Sequence, residues 1–96
     1  MADLEARYGR SERMVFRRIH DEMLLVPIKD NVGDLGSIYS LNEVGAFVWE
    51  HLDGTRRLLD IKEMMAQEFD VPPQRAETDL CEFVDELQEL GAIVAL

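Results

Sequence analysis

At Leu41 the spacing of apolar residues changes from every second position to every third or fourth, and that single switch limits the possible folds more than any other feature of the chain. Before it, Met14 to Ile19 (MVFRRI) and Glu22 to Ile28 (EMLLVPI) read as two strands separated by His20 and Asp21, a hairpin pattern. Pro27 has no N–H for a ladder bond, so the second strand ends near Val26 or carries a bulge there. Lys29 to Gly36 (KDNVGDLG) is built from residues that tolerate tight turns. Ser37 to Leu41 (SIYSL) follows as a third strand and completes an antiparallel meander.

After the switch the pattern predicts three helices. Asn42 caps the first, whose Val44, Phe47, Val48 and Leu52 recur on one face, and Gly54 lies just beyond its end. The second starts at Leu58 or Asp60 and runs to Phe69, with Ile61, Met64, Met65 and Phe69 turned inward. It stops where Val71 is held extended by the proline after it. The third opens at Pro73, whose missing N–H has no helical partner in a first turn anyway. Its Ala76, Leu80, Phe83, Val84, Leu87 and Leu90 form the clearest amphipathic stripe in the chain, and Gly91 closes it.

The apolar end, Ala92 to Leu96, is expected to pack back on the domain. Residues 1–13 are polar, charged and without an apolar period, so they read as a mobile tail ahead of one domain at 14–96. The expected class is α+β: a three-stranded antiparallel sheet followed by three helices, an order close to a winged helix-turn-helix.

The net charge of -10 bears on partners because it is uneven. From Met1 to Leu41 there are 6 basic and 7 acidic residues; from Asn42 to Leu96 there are 4 and 13. An acidic field repels phosphate backbones and anionic lipid, which argues against nucleic acid and membrane surfaces as partners. The longest apolar run, Met23 to Ile28, is far short of the roughly 20 residues that span a bilayer. The N-terminus has no apolar core of a signal peptide, and the single cysteine, Cys81, fits a reducing compartment, so a cytoplasmic location is expected.

No constellation for chemistry is apparent. His20 and His51 are far apart, no Cys or His spacing matches a metal site, and Gly33 and Gly36 lack the spacing of a phosphate loop. Cys81 adjoins the apolar stripe of the third helix and reads as an inert thiol, and no cofactor is implied. The carboxylates Glu77, Asp79, Glu82, Asp85, Glu86 and Glu89 read as a solvated face. A catalytic role for the chain alone therefore has no residues to carry it.

The order of signals from Asp21 onward resembles the PqqD-like family, the precursor-peptide recognition elements of ribosomally made, modified peptides. The matching pieces are Asp21 to Val26, Leu41-Asn42, Gly45-Ala46, Trp49-Glu50 and Leu52-Asp53-Gly54. They continue with Ile61, Phe69-Asp70-Val71, Asp79-Leu80, Phe83-Val84, Leu87 and Gly91. The resemblance implies a non-catalytic adaptor, a peptide chaperone that captures a leader segment and presents it to a modifying enzyme, often a radical S-adenosylmethionine enzyme.

It also implies a groove between the third strand and the third helix. Here that groove is Ser37, Ile38, Tyr39, Ser40 and Leu41 against Arg75, Asp79, Glu82 and Phe83. Tyr39 and Phe83 would supply apolar contacts, Arg75 would meet a leader carboxylate, and Asp79 and Glu82 would accept from basic or amide groups. Periodicity by itself assigns Phe83 and Leu41 to the core, whereas Trp49 matches an apolar position that the resemblance implies is core.

Two other readings compete. A winged-helix nucleic-acid binder is disfavoured because Gln74 to Leu90 holds one basic residue and six acidic ones. A docking or regulatory subunit that touches only the enzyme is the other; the basic pair Arg56-Arg57 offers a dock for such an enzyme, but reads more simply as an exposed loop pair. The sequence sets no oligomeric state.

Overall fold

Regular structure begins earlier than the apolar pattern suggests. The computed structural model describes residues 2–12, 14–20, 22–27 and 39–96, with Pro27 described by its backbone alone. Within these, β1 (Arg7–Arg10), β2 (Met14–Ile19), β3 (Glu22–Pro27) and β4 (Tyr39–Leu41) precede α1 (Glu43–His51). There follow β5 (Asp53–Arg57), α2 (Leu58–Glu68), α3 (Pro73–Glu89) and β6 (Ile93–Ala95). The class is α+β, with two antiparallel three-stranded sheets ordered β2-β3-β4 and β5-β1-β6.

The expected meander is the first sheet. Met14 pairs with Pro27 and Ile19 with Glu22, so β3 keeps its register as far as the proline. His20 turns the hairpin at φ 56, a left-handed backbone that a non-glycine residue adopts in few places other than turns. Met23, Leu25 and Leu41 face inward and are buried, which is the period-two alternation made physical. The expected turn at Lys29 to Gly36, and the start of the third strand at Ser37 and Ile38, lie outside the described residues.

Two expectations are corrected by the second sheet. The supposed tail contains β1, the central strand between β5 and β6, with Tyr8 buried and Arg10 opposite Ile93. Its neighbourhood also solves a problem for α2, whose first N–H groups have no partners within the helix. Leu58 N–H donates to the Ala6 carbonyl at 3.0 Å, and Leu59 N–H to the Leu4 carbonyl at 2.9 Å. The order "sheet, then helices" is likewise incomplete, because β5 separates α1 from α2 and β6 follows α3. Arg56 and Arg57 thus sit in a strand, each held by an intramolecular ion pair, and form no free loop.

The helix boundaries have local causes. The Asn42 side chain accepts from Gly45 N–H at 2.9 Å, capping α1. At the other end of α1, the Arg10 guanidinium donates to the carbonyls of Trp49 and Glu50, a cation on the negative end of the helix dipole. Helix α3 ends with Gly91 at φ 72, Gly91 N–H on the Gln88 carbonyl and Ala92 N–H on the Leu87 carbonyl, a Schellman pattern.

The core lies among the three helices and takes in Met23, Leu25 and Leu41 from the β2-β3-β4 sheet and Tyr8 and Ile93 from the β5-β1-β6 sheet. Leu25, Trp49, Leu52, Leu58, Ile61 and Leu87 are fully buried within it. Each such side chain stabilises the fold by ~1.5–3 kcal/mol relative to exposure. The Trp49 indole packs edge-on to Phe16 with ring centroids 5.8 Å apart. Ala92 and Ile93 are buried as well, so the apolar end of the chain does pack back.

Candidate functional site

The chain leaves strand β4 directly into the α1 cap, and among the described residues β4 pairs on one side only. Its partner is β3; among the described residues its other edge meets no strand. In an antiparallel ladder alternate residues turn their N–H and C=O groups to opposite sides, so this edge presents main-chain donors and acceptors to whatever lies beside it.

Beside it is a groove of about 400 Å³. One wall is Tyr39, Ser40 and Leu41; the other is the α3 stripe Asp79, Phe83, Glu86 and Leu90, with Leu80 and Leu87 below. The floor comes from α1 through Val44, Gly45 and Val48, with Met65 of α2 at the base. Gly45 lies between the walls. A Cβ there would stand 3.3 Å from the Leu41 Cβ, tighter than ordinary contact, and 3.5 Å from the Phe83 Cζ, an ordinary contact. The surface is chiefly apolar, and among the described residues its charged members are Asp79 and Glu86, both acidic and both exposed.

Of the residues expected to form the site, the structure brings Tyr39, Ser40, Leu41, Asp79 and Phe83 together around this groove. Ser37 and Ile38 lie outside the described residues. Arg75 does not line the groove; it sits near the start of α3 with its Nε 3.8 Å from the Asp79 carboxylate. Glu82 falls on the far side of the stripe. There it borders a second depression of about 390 Å³ with Ala2, Leu4, Glu77, Cys81 and Asp85.

Glu86 and Leu90 were not anticipated, yet they continue Asp79 and Phe83 at spacings of three and four along one helical face, a signal the sequence contains. Gly45 is harder to find. Its role depends on what crosses α1, which spacing does not report.

Other polar features stand apart from the groove. The Thr55 hydroxyl donates to Asp53 at 2.6 Å, aided by the Thr55 N–H and the Arg56 guanidinium, and these hold the Asp53 carboxyl at about 2, below its ordinary 3.8. Asp60 is lowered in the same way by Arg57, which also reaches Glu5. Burial, reinforced by Glu77 and Asp85, pushes the Cys81 thiol up and disfavours the thiolate. Among the described residues no group of three His, Cys, Asp or Glu side chains is placed to hold a metal, and no helix is long and apolar enough to cross a membrane.

The model of the family described as Coenzyme PQQ synthesis protein D (PqqD) matches residues 22–93, three quarters of the chain. The chain belongs to the PqqD family. Its matched span begins at β3 and ends in β6, so it takes in both groove walls and leaves β1 and β2 outside. Among solved structures, "TbiB1 in Complex with the TbiA(beta) Leader Peptide" is similar to this PqqD-family chain with a TM-score of 0.74 at 25% sequence identity. The likeness covers 88% of this chain and 93% of that one. None of the curated proteins matches.

Proposed function

We propose that this PqqD-family chain is a non-catalytic adaptor that binds the leader segment of a ribosomally made precursor peptide and presents it to a modifying enzyme. The observation that carries the reading is the open edge of β4 facing α3 across an apolar groove. An extended leader adds to that edge as a fourth strand, exchanging main-chain hydrogen bonds with β4, while alternate side chains enter the groove and meet α3. Tyr39, Ser40, Leu41, Asp79 and Phe83 act in this contact. The similarity to TbiB1, solved in complex with a leader peptide, over most of both chains supports leader binding.

The modifying enzyme is proposed to be one of the radical S-adenosylmethionine class, working in the cytoplasm where Cys81 stays a thiol. A peptide in place of a nucleic acid is in keeping with an α3 that carries one basic residue, Arg75, against six acidic ones.

The test uses the precursor encoded by a short open reading frame beside the gene. Its leader half and its core half are titrated separately into the full chain by calorimetry. Binding by the leader half alone is expected. Binding of neither half, together with binding of the enzyme, would replace the adaptor by a subunit that docks on the enzyme without touching peptide.

A further inference from the structure

Asp79, Phe83 and Glu86 occupy positions i, i+4 and i+7 of α3, so the aromatic ring lies between two carboxylates on one stripe of the helix. Across the groove the ring faces Gly45 and Leu41, with no basic residue among the described residues of the lining. The two carboxylate positions are seven residues apart, about 10.5 Å along a helix. A strand added beside β4 rises about 3.3 Å per residue and turns every second side chain the same way. Its positions i-2, i and i+2 therefore face α3 together and span about 13 Å, and long basic side chains absorb the difference.

Building on the leader-binding reading above, we propose that the groove selects an extended segment with a large apolar residue at one position and lysine or arginine two residues to either side. The apolar side chain seats against Phe83 and Leu41, and the cations meet Asp79 and Glu86. The 3.8 Å contact of Arg75 with Asp79 joins two exposed side chains and yields to an incoming cation. Because a net charge of -10 attracts any cationic peptide, the signature of the site is register, which bulk charge does not reproduce.

Three short labelled peptides distinguish these. The first carries a central leucine with lysine at i-2 and i+2, the second the same residues with lysine moved to i-1 and i+1, and the third glutamate at i-2 and i+2. At physiological salt the first is expected to bind about fivefold tighter than the second, with the third weakest. In the double variant Asp79→Asn/Glu86→Gln, which changes two exposed positions, the first and second should bind alike. Equal affinities of those two for the unaltered chain would overturn the selectivity and leave the groove as a leader site. No binding of any of the three, where the natural leader half also fails, would overturn both.

Discussion

At the scale of single residues, the groove and the core make different demands. Leu58 is fully buried and does not line the groove, so Leu58→Ala should cost about 2–5 kcal/mol in a denaturant titration. Phe83 is half-buried with one face open to the groove; Phe83→Ala should weaken leader binding about tenfold or more while leaving the denaturation midpoint closer to that of the parent. The reverse pattern would make Phe83 a core residue and nothing else, as its spacing alone suggests.

Asp53 gives a pH signature. Its folded-state pKa of about 2 lies below the ordinary 3.8, so its contribution to stability is complete above the higher value and is lost as pH falls through the lower one. Asp53→Asn should therefore lower stability near neutral pH, with the gap from the parent closing between pH 4 and pH 2. A gap that stays constant across that window would deny the carboxylate its hydrogen-bonded role with Thr55.

At the scale of elements, what could be read in advance depended on whether side chains or main chain carried the information. The three helices were visible because each buries a regular stripe, the β2-β3 hairpin because Met23 and Leu25 of β3 are buried and β2 is rich in apolar residues although these stay exposed, and Asn42, Pro73 and Gly91 mark boundaries through their own chemistry. Strands β1 and β5 were not. Arg7-Tyr8-Gly9-Arg10 buries one side chain, Tyr8, and Asp53 to Arg57 buries none, so their ladder bonds leave no apolar period to detect. Tyr8→Ala should then cost about 3 kcal/mol, a loss that a mobile tail would not show.

The edge of β4 makes its own prediction. Either Tyr39 and Leu41 or Ser40 send their N–H and C=O groups outward, since the two sets alternate. Of Tyr39→Pro and Ser40→Pro, the one that removes an outward N–H should keep the fold and lose leader affinity, while the other disrupts pairing with β3. Two folded variants with unchanged binding would exclude strand addition at β4.

At the scale of the whole molecule, three helices and two sheets place the edge of β4 opposite an acidic, amphipathic helix, and that juxtaposition separates this chain from a generic α+β domain. The sequence supplied both walls, β4 and α3, but not their separation or the floor between them, because the approach of α1 to both is a product of packing. Among the described residues other strand edges also meet no strand, that of six-residue β2 among them, so the position of a bound leader decides the account. The direct measurement is a filtered nuclear Overhauser experiment on the labelled chain with the unlabelled leader half of its precursor. Cross-strand contacts from leader backbone protons to Tyr39, Ser40 and Leu41, with leader side chains touching Phe83, are the predicted result. Contacts confined to β2, or a leader bound without any cross-strand contact, would contradict it.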